Sequence, residues 1–302
     1  MYHYVRNVKK SRYPNLKALE FKNFKKQIKF FKKNFNIINL DQLIDILNSK
    51  KIPKKPSILM TFDDGFSDHY HYVFPYLIKK KLTGVFFPSV ETIEKNIVSD
   101  THKIHFILEK QNNNGQIINF IFYYLEKIFK ISPYKIDFKK LNLENHVNDK
   151  ETMIIKNLLQ FYLKKKIRKK IIDLLFKKLV TSDEKAFSEK LYLKENQIKT
   201  MLNNNMNFGI HGYEHLWLGS LSKSNQNNDI KKSLNFFKKK FFTNKNLSFC
   251  YPYGSFNKDT LKIIKKLGIN YGFSSDPGAI TKKNINQLLT LPRFDTVDLG
   301  IF

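Results

Sequence analysis

The sequence predicts an α/β fold, a parallel barrel or doubly wound sheet carrying a large helical insertion. Three observations predict it. Short apolar runs alternate with segments of helical periodicity, residues capable of chemistry stand where those runs end, and the alternation lapses between residues 95 and 204.

Residues 1–6 form the first predicted strand, and Phe21 to Phe35 and Asp41 to Leu47 carry apolar residues at helical spacing. Ser57 to Phe62 reads as a buried strand that runs into Asp63, Asp64 and Gly65. Ser67 or Asp68 is placed to cap a helix reaching about Lys81, and Thr83 to Pro88 reads as the next strand. A right-handed crossover in this β-α-β unit puts both strand ends on one face of a parallel sheet. Residues 95–204 are rich in Lys, Ile, Phe and Asn, with helical periodicity in Ile154 to Leu163 and Ile171 to Leu179. Alternation returns with a strand at Asn207 to Ile210, a helix at Asp229 to Phe242, a strand at Leu247 to Tyr251 and a helix at Lys258 to Leu267. Strands near Tyr271 to Ser274 and Leu288 to Pro292 follow. Residues 1–94 and 205–302 are thus expected to form two parts of one fold, with 95–204 inserted as a helical subdomain.

Hydrophobic residues make up 42% of the 302, enough for a sizeable core, which excludes disorder for most of the chain. The 54 basic and 26 acidic residues give a net charge of +28, a balance that ordinarily points to nucleic acid, an anionic membrane or a phosphorylated substrate. Here the lysine excess accompanies Asn, Ile and Phe, whose codons are built largely from A and T, and it is spread along the chain. The charge therefore reads as largely compositional, and no specific nucleic-acid partner is expected. Cys250 is the single cysteine, so no intrachain disulfide forms and a reducing compartment fits. Met1 to Arg6 lacks the apolar stretch of a secretory signal, from which a cytoplasmic protein is expected. The apolar passage Ile117 to Leu125 is about half the length of a membrane span. It fits a buried helix, with peripheral membrane contact as the alternative because basic residues follow it.

Four segments carry chemistry. In Thr61-Phe62-Asp63-Asp64-Gly65 two carboxylates close a buried strand, where like charges repel and resist desolvation. A cation on one carboxylate, or a proton between them, relieves that cost; an Asp-Gly turn is the plainer alternative. In His211-Gly212-Tyr213-Glu214-His215 the two imidazoles converge on one cation if the segment makes a helical turn, and neutral imidazole suits zinc and related divalent metals. Two histidines with one aspartate supply three ligands and leave a position for water, the pattern of a catalytic metal site. In Phe249 to Gly254, Pro252 fixes φ and Gly254 permits a tight turn that can aim the Tyr253 amide at a ligand, although the same residues make a good turn without one. In Leu291-Pro292-Arg293-Phe294-Asp295, Arg293 either reaches a buried carboxylate or lies on the surface as most arginines do.

In this order the motifs resemble the polysaccharide deacetylases of the NodB-homology type, carbohydrate esterases built on a distorted (β/α) barrel. The resemblance rests on Thr61 to Gly65, His211 to His215 and Phe249 to Gly254, with further support from Met1 to Val5 and Leu291 to Arg293; it covers about residues 1–94 and 205–302. It implies that Asp63 is the catalytic base, that Asp64, His211 and His215 hold a divalent metal ion, zinc in the first instance, and that the Tyr253 amide faces the oxyanion. Where many members carry an arginine that pairs with the base, this chain has Cys250, so Arg293 from the last strand is the expected substitute. The family's Leu-x-Ile-His motif, which carries the general acid, has no counterpart here. That leaves His69, His71, Asp295 or a water for the role, with a plain surface position as the alternative for the two histidines. His102 and His105 read as structural.

The expected function is metal-dependent removal of an N-acetyl, or less readily O-acetyl, group from a sugar in surface-glycan or polysaccharide biosynthesis. The expected partner is an acetylated sugar or glycan precursor, nucleotide-linked or lipid-linked. Hydrolysis of a non-sugar amide on the same fold and catalytically weak carbohydrate binding are the alternatives. The insertion is expected to act as a lid, a partner surface or a membrane contact.

Overall fold

The computed structural model describes residues 1–51, 53–111, 113–141, 149–241, 246–282, 284–296 and 300. The chain divides into two compact units, one made of Met1–Asn7, Lys17–Asn96 and Glu189–Phe302, the other of Val8–Leu16 and Ile97–Ser188.

In chain order the elements begin with β1 (Val5–Arg6), β2 (Leu19–Glu20), α1 (Phe21–Asn34), β3 (Asn36–Ile38) and α2 (Leu40–Ser49). They continue with β4 (Ser57–Leu59), β5 (Thr61–Asp64), α3 (Phe74–Lys79), β6 (Val85–Pro88) and α4 (Val90–Glu94). Five helices follow: α5 (Asp100–Lys110), α6 (Asn114–Phe129), α7 (Lys150–Asn157), α8 (Lys165–Leu179) and α9 (Glu184–Leu191). The chain then runs through α10 (Glu195–Asn203), β7 (Asn207–Phe208), α11 (Lys223–Lys240), β8 (Ser248–Cys250), α12 (Lys258–Lys266) and β9 (Tyr271–Phe273).

All strand pairings in these sheets are parallel. They run from Tyr2 to Phe62, through β5, β6 and β7, from Ile210 to Phe249, through β8 and β9, and from Phe273 to Leu291. The Met1 amino group donates to the Phe294 carbonyl and brings the ends of the series together, so the first unit is an α/β distorted barrel. Every residue of β5 and β6 is buried, as expected of parallel strands covered on both faces. Inside, the Phe62 ring stacks on Tyr2 at 5.0 Å and on Phe86 at 4.7 Å. Against this core α1 lays Phe24, Gln27, Ile28 and Phe31, one face of a helix whose other face is lysine-rich.

The strand expected over Ser57 to Phe62 is two strands in different sheets, and that expected over Leu288 to Pro292 is a single bridge at Leu291; two helices also depart from the sequence-based expectation. Neither Ser67 nor Asp68 caps the helix after β5: the Ser67 hydroxyl donates to the Lys190 carbonyl and Asp68 accepts from Arg6 Nε at 2.7 Å. The chain instead makes a wide π turn over His69–Val73 before α3, which accommodates the missing N–H and the ring of Pro75. Helix α11 starts at Lys223, six residues before the expected Asp229, because Ser222 caps it by accepting from the Asn225 amide. Its first turns, Lys-Ser-Asn-Gln-Asn-Asn, have no apolar periodicity to betray them. The expected end at Phe242 lies outside the described residues.

The second unit is helical. Ile117, Ile121 and Leu125 of α6 are fully buried, so the apolar passage is a core stripe. No described helix is long and apolar enough to cross a membrane. The Lys103 ammonium, buried in α5, is matched by Asp173 at 2.5 Å and Glu184 at 2.9 Å. His102 is buried with its Nδ1 at 2.9 Å from the Ser99 hydroxyl, which also caps α5.

Candidate metal centre

The site lies at the carboxyl ends of the barrel strands. Along an extended strand Asp63 and Asp64 would point to opposite faces. Asp64 takes a left-handed conformation, with φ of 70°, which ends that alternation. Gly65 follows with φ of 68°, and a Cβ there would stand 2.4 Å from the Pro88 Cβ on the neighbouring strand, so only glycine fits.

Asp64 turns to the histidines. Its Oδ1 lies 3.4 Å from His211 Nε2 and 3.1 Å from His215 Nε2, all three side chains buried, and their ligand atoms lie within 4.8 Å of one another. His211 Nδ1 is 2.8 Å from the Cys250 carbonyl; donation to that oxygen places the proton on Nδ1 and leaves the Nε2 lone pair facing Asp64. The histidines do not converge through a helical turn. His211–His215 is a loop in which Gly212 and His215 both have positive φ, 70° and 55°. The loop is folded by a residue the sequence did not flag: the Asp229 carboxylate at the start of the expected α11 accepts from the Tyr213 and Glu214 amides, each at 2.9 Å. A Cβ on residue 212 would sit 2.8 Å from that carboxylate.

Asp63, which with His211 and Cys250 forms a second cluster of ligand atoms within 4.8 Å of one another, is engaged by Arg293. Nη1 donates to Oδ1 at 2.9 Å and Nη2 to Oδ2 at 2.8 Å. The guanidinium's remaining donors go to Thr61 Oγ1, the Ser274 carbonyl and Cys250 Sγ, so every N–H direction is used. Burial by itself would raise the Asp63 carboxyl; the Arg293 guanidinium outweighs it and holds the acid well below the usual carboxylate range. Cys250 lies where the expected arginine is missing. Burial pushes its thiol up, so it stays protonated and donates to Asp63 Oδ2 at 3.3 Å.

Tyr253 occupies a turn, Pro252–Gly254, in which Tyr253 itself is left-handed with φ of 57°. Its ring meets the His215 ring edge-on at 4.6 Å. Of the residues considered for the general acid, His71 is exposed, and His69 is buried with Nε2 on the His3 carbonyl at 2.8 Å. Asp295 Oδ2 stands 4.0 Å from Nδ1 of His3. His3 escaped the sequence reading because a lone histidine in a terminal strand has no spacing signal. It stands close enough for a charge on its ring to depress Asp63 further, and the Asp63 amide donates to the neighbouring Tyr2 carbonyl.

Comparison with known proteins finds similar chains and folds. The polysaccharide deacetylase family model matches residues 159–272, which include both histidines and the Tyr253 turn. The fold agrees with a deacetylase from Streptococcus pyogenes, PplD, solved with acetate: TM-score 0.60 at 17% identity over 97% of this chain and 89% of that one.

Residues 159–272 resemble the polysaccharide deacetylases in sequence, and the chain shares the fold of solved deacetylases.

The structure of IcaB from Ammonifex degensii superposes with a TM-score of 0.53 at 16% identity, covering 95% of this chain and 94% of that one. The barrel is thus of the NodB-homology type. In sequence, this chain is 30% identical over 98 residues to the putative polysaccharide deacetylase YxkH of Bacillus subtilis, and 42% identical over 60 residues to the poly-β-1,6-N-acetyl-D-glucosamine N-deacetylase of Staphylococcus epidermidis. Those stretches make up 32% and 20% of this chain, and 35% and 20% of the relatives.

Proposed function

We propose that this protein is a metal-dependent hydrolase that removes an N-acetyl group from a sugar in surface-glycan or polysaccharide biosynthesis. The observation that carries the reading is the division of labour between adjacent carboxylates: Asp64 faces two imidazoles, while Asp63, one residue away, is held by Arg293. The donor set fits a divalent cation, zinc first, with two neutral imidazole nitrogens and one carboxylate oxygen. Bound by Asp64, His211 and His215, such an ion supplies Lewis acidity that makes water a competent nucleophile near neutral pH.

The chain's own residues do the rest. Asp63 stays ionised beside Arg293 and accepts the proton of the attacking water. The left-handed Tyr253 presents its backbone amide to the oxygen on which charge develops, a donor of the kind worth about 3 to 4 kcal/mol in such sites. His3, whose Nδ1 stands 4.0 Å from Asp295 Oδ2, is the group this reading assigns to return a proton to the departing amine. Arg293 keeps Asp63 fixed and cannot itself give up a proton.

The test couples elemental analysis of the purified protein to acetate release from N-acetylated oligosaccharides. Bound metal near one per chain and acetate release abolished by chelation are expected. Asp64→Asn should lose metal and activity together, whereas Asp63→Asn should keep the metal and lose turnover. Equal metal loss in both variants, or no acetate from any saccharide by the metal-loaded protein, would sink the reading.

A further inference from the structure

Beside the metal triad lies a pair of aromatic rings that the reaction chemistry does not call for. The indole of Trp217 lies flat on the Tyr253 ring, with centroids 4.1 Å apart and planes 6° apart, and Tyr253 in turn touches the ring of His215. A row of three rings leads from a buried metal ligand to two half-buried side chains. Two loops are tied together to hold it. The Gly219 amide donates to the Ser255 hydroxyl at 3.1 Å, Asn257 Nδ2 donates to the Gly219 carbonyl at 3.0 Å, and the Ser220 hydroxyl donates to the Trp217 carbonyl at 2.8 Å.

Packing alone does not account for the placement. Leu218, the next residue, is completely buried, so this loop turns its aliphatic side chain into the core and leaves its largest apolar ring partly exposed beside the site. A rigid aromatic plane with a polar N–H suits a ligand that is apolar on one face and hydroxylated at its edge. A pyranose ring has that character: its C–H face packs on an aromatic ring while its hydroxyls stay hydrated.

We propose that the Trp217–Tyr253 stack is a sugar-binding shelf for the unit adjacent to the one being deacetylated, so that the substrate is a glycan of at least two N-acetylated sugars. The indole lies one ring further from His215 than the phenol, which assigns it to the neighbouring unit and not to the reacting one. A single sugar, free or nucleotide-linked, would leave it unused. The inference rests on the deacetylase reading above.

Trp217 is the only tryptophan in the chain, so its fluorescence reports the shelf directly and does not depend on turnover. The probes are N-acetylglucosamine and its β-1,6-linked dimer and trimer, titrated into the full-length protein. The dimer and trimer should shift or quench the emission at concentrations at least tenfold below those at which the monomer acts. Trp217→Ala should lower kcat/KM for the trimer about tenfold more than for the monomer, chiefly through KM, and Trp217→Phe should recover part of that loss. Emission indifferent to chain length, or an equal penalty on monomer and trimer in either variant, overturns the shelf. If the emission responds to the trimer but the metal-loaded protein releases no acetate, the shelf stands and the deacetylase reading falls.

Discussion

Arg293 and Asp63 are joined by two parallel hydrogen bonds, 2.9 and 2.8 Å long, across 230 residues of chain, and both side chains are buried. Such a pair is costly to break by halves, because the surviving charge is left without a partner in a low-dielectric interior. Arg293→Ala is expected to destabilise the fold by about 3 to 5 kcal/mol and to remove most activity. Arg293→Lys restores the charge without the fork geometry and should recover only part of either. Denaturant midpoints together with acetate release check this; an unchanged rate in Arg293→Ala would remove Arg293 from the catalytic unit.

The histidine loop depends on Asp229, which accepts from two successive amides. Asparagine has a single acceptor oxygen, and its NH₂ would face one amide N–H. Asp229→Asn should therefore loosen the positions of His211 and His215 and weaken metal binding about 10- to 100-fold. Gly212→Ala should act in the same direction, since it combines a left-handed backbone with a Cβ 2.8 Å from the Asp229 carboxylate. Metal titration by competition with a chromophoric chelator is the measurement, and wild-type affinity in both variants would contradict the assignment.

For the proton returned to the leaving amine, the two histidines that differ most in position make the sharpest comparison. His3→Gln should lower kcat by about 10²- to 10⁴-fold while metal content stays normal. His71, exposed on the turn before α3, should tolerate the same change. Similar rates for the two variants would return the role to another group.

His69 provides a pH dependence of stability. It is fully buried, and burial pushes its imidazole down to about 4, against the partial opposition of its bond to the His3 carbonyl. In the unfolded chain histidine titrates near 6.5, so between about 6.5 and 4 the unfolded state binds a proton that the native state refuses. Stability is therefore unaffected by this group above about pH 6.5, falls as pH drops towards 4 by up to about 3 kcal/mol, and loses nothing more from it below that. Urea midpoints at pH 7.5 and 4.5 should differ less in His69→Gln than in the wild type. Parallel changes in the two proteins would show that His69 does not set this slope.

Much of the fold was written locally. Phe62, Phe86 and Phe249 lie in short, largely apolar stretches, as parallel strands buried on both faces require, and α1 shows itself by Phe24, Ile28 and Phe31 at helical spacing. Capping residues and proline effects were harder to read. Ser222 begins α11 ahead of any apolar pattern, and Pro75 turns a simple helix into a π turn followed by α3.

At the site, the reacting groups are legible from the chain alone: adjacent aspartates, two histidines four residues apart, and a Pro-Tyr-Gly turn, each at a strand end. Their arrangement comes from long-range folding. The left-handed turn at Asp64 separates the carboxylates, Asp229 folds the histidine loop, Arg293 occupies the place beside Asp63 where Cys250 supplies no charge, and His3 arrives beside Asp295. Burial and periodicity are recorded in neighbouring residues, whereas closing the barrel brings together groups that no local pattern connects.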